Sequence, residues 1–304
     1  MKIDSEKPKL SISFSGGRSS AVMTKILLER MTDSHEIVVT FANTGCEHEG
    51  TLQFVRDCDR IWNFNTVWLE AIIGPEGVGP RAKIVTFETA SRNGEPFEAA
   101  IKKHGIFNPA NPNCTNRLKI EVMESYLKSL GWRRGEYTTA IGIRADEIDR
   151  VSPRARALGV IYPLVELGIG KPQVIAMMRN AEFDLHLPGE HYGNCVWCWK
   201  KTQRKLMTIA KHTPEAFEFP RRMEEVHGSV NTDRMDSSVY GETRTFFRNG
   251  LSANDICELA STSDFREYKE SSQGTFPFWE DSWDELDIGG GCGDSCEVYA
   301  DEKS

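Results

Sequence analysis

Ser15, Gly16, Gly17, Arg18, Ser19 and Ser20 form a run in which two glycines are framed by hydroxyls and a guanidinium. Such a run can cradle an anion. Glycine reaches backbone angles closed to other residues and lets phosphate oxygens approach the main chain, while serine hydroxyls and the free N–H groups of a following helix donate. It is not a Walker loop, because the lysine and the four-residue spacer are missing. Arg18 offers a planar fork suited to oxyanions. A tight strand-to-helix turn capped by serines accounts for the same letters, and Arg18 is equally compatible with a solvated surface.

The second group is sulfur. Of eight cysteines, Cys195 and Cys198 make a CxxC pair, Cys292 and Cys296 make a CxxxC pair, and Cys114 stands in the loop NPNCTNRLK. Thiolates with these spacings suit tetrahedral zinc or an iron–sulfur cluster, and both need cysteines from distant segments. Free or redox-active thiols are the third reading. Cys114 falls at an expected helix start with Arg117 and Lys119 nearby, conditions that favour thiolate. The glycines of DIGGGCGDSC read as an arm able to carry a nucleophile in and out of a site. Cys46, Cys58 and Cys257 stand alone in apolar or helical patterns and read as core residues. The chain as a whole gives no sign of a disulfide framework, and a cytoplasmic setting is expected.

These groups need a frame. Residues 10–14 alternate as a strand, and AVMTKILLERM has the apolar spacing of an amphipathic helix. EIVVTFANTG (36–45) reads as a buried strand, HEGTLQFVRDCDRIWNF as a helix and TVWLEAII as a third strand. Strand and helix alternating in this way predict an α/β fold with a doubly wound parallel sheet, whose ligands sit beyond the carboxyl ends of the strands. Residues 74–113 are rich in glycine, proline and asparagine, and read as a long excursion with one short strand, KIVTFET. A helix is expected from about Cys114 to Gly131, a strand in YTTAIGIRADE, and a helix in KPQVIAMMRNA opened by Pro172. Residues 211–275 read as irregular helices. The expected organisation is therefore residues 1–210 as a nucleotide-binding domain carrying the CxxC site, and residues 211–304 as an appendage with a cysteine-containing tail.

Several motifs, in order, resemble one superfamily. SFSGGRSSAVM resembles the PP-loop, SGGxDS, of the adenine nucleotide alpha hydrolase superfamily, which includes ATP pyrophosphatases, thiolation enzymes and phosphoadenosine phosphosulfate (PAPS) reductases. FANTGCEHEGTLQFV, IGIRADEIDR and IYPLVELGIGKPQVIAMM resemble successive segments of the PAPS reductase branch, and the match spans residues 10–210. The resemblance implies an adenine nucleotide, ATP or a phosphosulfate nucleotide, bound by Ser15, Gly16, Gly17, Arg18, Ser19, Ser20, Asn43, Thr44, Gly45, Gly142, Arg144, Asp146 and Glu147. Magnesium at the phosphates belongs to the same pattern. The family's aspartate is Ser19 here, which weakens the case for metal-assisted hydrolysis.

Cys114 followed by the 195/198 pair resembles the layout that holds a [4Fe–4S] cluster in adenylyl-sulfate reductases and related thiolation enzymes. Asn113 replaces one cysteine of their tandem pair, so a ligand is missing. An open iron site, a fourth ligand from Cys292 or Cys296, and structural zinc each answer that shortage. The tail resembles, loosely, the mobile cysteine tail of PAPS reductases, so Cys292, Cys296 and Arg144 are the expected catalytic residues. Two reactions follow: adenylation of an acceptor such as a nucleic-acid base, then sulfur displacement, or attack of a tail cysteine on a sulfonate to release sulfite. A sulfur donor protein is a further implied partner. A nucleotide-binding regulatory module without turnover is the contrasting class.

The net charge of −8 argues against a generally basic nucleic-acid coat, though RLK (117–119), GWRRG (131–135) and WKKTQRK (199–205) leave room for a local basic groove. No run approaches the roughly 20 apolar residues of a spanning helix.

Overall fold

The structure is a computed structural model that describes residues 7–230 and 243–269. Its frame is a six-stranded sheet with strands β1 (Lys9–Ser13), β2 (Glu36–Ala42), β3 (Val67–Ile72), β4 (Arg81–Val85), β5 (Tyr137–Ile141) and β6 (Val160–Ile161), in the order β4-β3-β2-β1-β5-β6. All neighbours are parallel except β3 and β4. The chain thus winds outward from β1 to β3, returns, and builds β5 and β6 on the opposite side. β1 is central, and its carboxyl end lies where the winding reverses, the place where α/β sheets open a crevice.

Helices cover both faces. On one side lie α1 (Arg18–Met31), α2 (Glu49–Trp62) and, after the short α5 (Pro163–Glu166), α6 (Lys171–Arg179), whose apolar residues pack with Leu10, Ile12 and Phe14 of the central strand and its exit. On the other lie α3 (Glu95–His104), α4 (Glu121–Ser129), α7 (Gln203–His212), α8 (Glu218–His227) and α9 (Ala253–Thr262). Their core runs from Leu69 and Ile141 in the sheet through Phe97, Ile101 and Trp197 to Phe217, Phe246 and Ile256. Every second residue of β1 meets the first layer, as strand geometry requires. Ser13 faces the other way, against Met123 Sδ at 3.9 Å.

The doubly wound α/β reading therefore holds, with three corrections. The strand expected at KIVTFET is β4, displaced toward Arg81 and antiparallel, so the sheet is mixed. The excursion 74–113 contains the helix α3, whose apolar Phe97, Ala100 and Ile101 are buried. The helix after Cys114 opens with a π-helical turn, Asn116–Ile120, before continuing as α4. Such wide turns concentrate at functional sites because they rotate side chains out of the regular register.

Candidate functional site

The glycine run forms the turn from β1 into α1. Gly16 has φ +80°, and a Cβ there would lie 2.7 Å from Thr51 Cγ2, so both dihedral and space select glycine. Ser20 is fully buried and knits the turn: its hydroxyl meets Ser15 Oγ at 2.9 Å, accepts from Ser15 N–H at 3.2 Å and lies 3.0 Å from Gly17 O. α1 starts at Gly17 without a side-chain cap and without an acidic residue in its first turn. Its opening N–H groups and positive dipole end are thus left for an incoming anion.

A cleft of about 550 Å³ lies over this turn, lined by the polar Ser15, Ser19, Arg144 and Lys171, by Gly17, and by the apolar Val174, Ile175, Leu185 and Leu187. Arg144 arrives from the β5 exit. Gly142 makes that approach feasible, since a Cβ there would stand 2.8 Å from Ser20 Cα. The buried Arg144 guanidinium donates to Ser19 Oγ at 3.2 Å and to Asp146 Oδ1 at 3.1 Å. Burial pushes the Asp146 carboxyl up, but bonds and charge from Arg144 and the Lys171 backbone N–H, 2.9 Å away, outweigh it and hold the acid below its usual range. Glu147 accepts from the Arg144 N–H at 3.1 Å and pairs with Arg150. Lys171 pairs with Glu190 on the cleft wall.

Arg18 lines the cleft, but its guanidinium is engaged elsewhere. Nε and Nη2 reach both oxygens of Asp184, at 2.7 and 3.1 Å, and Nη2 also donates to Leu185 O at 2.7 Å.

Asn43, Thr44 and Gly45 do not line the cleft over the glycine turn. Asn43 is fully buried, donating to Glu70 Oε1 at 2.8 Å and Ser91 O at 2.9 Å while accepting from Gly45 N–H at 3.2 Å. Gly45, at φ +79°, approaches the Gly94 backbone. Thr44 turns toward sulfur, with Oγ1 3.4 Å from Cys195 Sγ.

That sulfur belongs to a second cavity of about 390 Å³, lined by Cys114, Cys195 and Cys198 together with Thr44, Phe97, Lys119, Trp197, Trp199 and Lys200. The CxxC segment is a tight turn: Cys198 N–H donates to Cys195 O and Lys201 N–H to Cys198 O, each at 3.0 Å. It docks on the β2 exit through a bridge between Glu47 and Cys195, and through Val196 N–H to Cys46 O at 3.0 Å. Lys201, 3% exposed, plants its ammonium on Gly193 O, Cys195 O and Val196 O. The buried Glu47 accepts from Thr44 N–H at 2.9 Å and lies 3.8 Å from Lys119 Nζ. Burial raises the Cys195 thiol well above its ordinary range, and Glu47 adds to this while Lys119 opposes it.

The cavity meets the sequence expectation in part. Three cysteines from two distant segments line it, and soft sulfur donors are the right chemistry for iron–sulfur or zinc. Among the described residues, however, no three His, Cys, Asp or Glu side chains stand in metal-holding geometry. Arg117 turns from Cys114 to pair with Glu121, and Lys119 and Lys200 are the cations that line the cavity. Cys292 and Cys296 lie outside the described residues. Glu47 is not a first-turn helix acid like Glu49; it precedes the His48 cap and folds back on Thr44.

Lys171, Lys201 and Asn194 are the residues that sequence reasoning passed over. Lys171 had a signal, a basic residue opening a helix after GIG. Asn194 had none: it adopts φ +59° and lines both cavities, so the cleft over the glycine turn and the thiol cavity meet at this residue.

Among the described residues, no helix is long and apolar enough to cross a membrane. No protein-family model matches the chain. A crystal structure of phosphoadenylyl-sulfate (PAPS) reductase from Candida auris, in a phosphate complex, aligns with 57% of this chain and 72% of that chain at 18% identity, with a TM-score of 0.35. The uncharacterized nin region protein ORF290 of Escherichia phage lambda is 30% identical over 295 residues, which cover 95% of this chain and 94% of that protein. Identity sustained over nearly the whole of both chains makes this protein a member of the family of the phage lambda nin region protein ORF290.

Proposed function

We propose that the chain binds an adenine nucleotide, with its phosphates over Ser15–Ser19 and its base toward Val174, Ile175, Leu185 and Leu187, and couples cleavage of that nucleotide to sulfur chemistry in the adjoining thiol cavity. The observation that carries this reading is the shared wall at Asn194, which sets a phosphate cleft beside three cysteines. The ordered PP-loop-like motifs support the nucleotide half. Lys171, Arg144 and the α1 N-terminus are the phosphate donors. Ser19, positioned by Arg144, stands where the PP-loop family has an acid, so these cations carry the phosphate charge that a metal shares elsewhere.

Cys114, Cys195 and Cys198 would hold an iron–sulfur cluster, which when bound supplies an iron site for activating sulfur. The chain's own residues there exclude water with Phe97, Trp197 and Trp199, and hold the CxxC turn through Lys201. Because burial keeps the Cys195 thiol protonated, loading a metal must release protons. The two reaction types remain adenylation followed by sulfur displacement, with pyrophosphate and then AMP released, and reduction of a phosphosulfate nucleotide, in which a tail cysteine takes the sulfonate as the nucleotide leaves and a second thiol then forms a disulfide with it as sulfite leaves.

The test is incubation of anaerobically purified protein with ATP and, separately, with PAPS, alongside iron, zinc and acid-labile sulfide analysis. Pyrophosphate or sulfite identifies the reaction, and brown protein that loses its colour when Cys195 and Cys198 become serine supports the cluster. Stoichiometric zinc without sulfide rejects the cluster. Tight nucleotide binding with neither product moves the protein to the regulatory class, which the Ser19 replacement favours.

A further inference from the structure

Arg18 sits in the phosphate loop, where a basic residue invites assignment as a phosphate ligand. Its geometry assigns it differently. The guanidinium makes a two-point contact with Asp184 and a third bond to Leu185 O, while Asp184 Oδ1 also accepts from Leu185 N–H at 2.7 Å. All of these contacts fall on the segment that contributes Leu185 and Leu187 to the apolar side of the cleft. The same segment also packs on α2: the ring of Phe183, the residue before Asp184, lies 4.8 Å from Trp62 and 5.6 Å from Phe54. Beyond the Arg18 contacts, His186 O presses so closely on α2 that a Cβ on Gly50 would come within 2.1 Å.

We propose that Arg18 is a positioning residue for base recognition: it latches the 184–187 segment to the phosphate loop, so that Leu185 and Leu187 form a fixed apolar wall for a purine. The inference rests on the nucleotide reading above and deepens it, by dividing the cleft into a phosphate half that does not need Arg18 and a base half that does. Two-point arginine–carboxylate contacts fix geometry as well as adding energy, and here the partners lie 166 positions apart in sequence. Leucines held in place need not be ordered when a base arrives, so more of their contact energy appears as affinity.

The test uses the full-length protein and two probes, inorganic pyrophosphate and ATP, titrated calorimetrically into wild type, Arg18→Gln and Asp184→Asn. Both variants are expected to hold pyrophosphate within about twofold of wild type and to lose at least about tenfold in ATP affinity. A loss shared equally by pyrophosphate and ATP in Arg18→Gln, with Asp184→Asn unaffected, would make Arg18 a phosphate ligand and overturn the proposal. Backbone amide exchange in nucleotide-free protein gives a second, independent readout: amides of residues 184–187 should exchange faster in both variants, and unchanged exchange also overturns the latch. Wild type that binds neither probe, with exchange still accelerated in the variants, would reject the nucleotide reading and leave the latch standing.

Discussion

Replacing Lys201 by methionine removes the ammonium that ties the CxxC turn together while keeping a side chain of similar length. Its three acceptors, Gly193 O at 3.0 Å, Val196 O at 2.9 Å and Cys195 O, belong to the segment bearing two of the three cavity thiols. Cys195 O keeps the Cys198 N–H, whereas Gly193 O and Val196 O lose this donor; a buried acceptor left without one costs about 1–3 kcal/mol, so the two set a ceiling of about 6 kcal/mol. Relieving the desolvation of a buried ammonium returns several kcal/mol of this. The expected net destabilisation is about 3 kcal/mol, in the range seen when one partner of a buried charged contact is removed. Urea unfolding followed by tryptophan fluorescence measures it, and Trp197 and Trp199 report from the turn itself. A thiol-reactive dye gives the local test, because Cys195 and Cys198 are only 8% and 6% exposed in the intact turn. Both should become reactive in Lys201→Met before global unfolding. A destabilisation below about 1 kcal/mol with thiols still protected would refute the assignment of Lys201 as the turn's anchor.

Three further outcomes are expected. Gly16→Ala should lose about 1–2 kcal/mol from its left-handed backbone alone, plus a steric part from the methyl 2.7 Å from Thr51 Cγ2; adding Thr51→Ser should restore only the steric part in urea titrations. Glu224 accepts from Phe246 and Ala253 N–H, each at 2.8 Å, yet burial pushes its carboxyl from 4.5 up to about 7. The folded state therefore binds its proton more tightly than the unfolded state. The resulting stability is complete below about pH 4.5 and fades as pH rises to about 7, by up to about 3 kcal/mol. Comparing urea midpoints at pH 5 and pH 8 should show this fall in wild type and a flattened response in Glu224→Gln. Truncation after Asp287 should abolish turnover without lowering nucleotide affinity; full turnover in the truncated chain would eliminate a tail nucleophile.

Much of this protein is legible in its sequence because much of it is local. The apolar spacing of α1 and α2, the short apolar runs of β1 to β3 and the glycines of the β1–α1 turn each act within a few residues, so the order of strands and helices and the tight turn at the end of β1 follow from neighbours along the chain. The order of the motifs added Arg144, which the β5 exit does bring onto Ser19. α3 was obscured by the glycine and proline around it, although its own apolar residues have helical spacing.

What only the tertiary structure decided is which side chains meet. The return of the chain to build β5 and β6 beside β1 is followed by the segment that sets Asp184 against Arg18. Docking of the CxxC turn on the β2 exit brings Thr44 and Glu47 to the thiols, and neither lines the cleft over the glycine turn. The physical reason is one of range: propensity and periodicity are settled over one or two turns of backbone, whereas the partner of a charge or a thiol depends on ångström distances fixed only when distant segments pack.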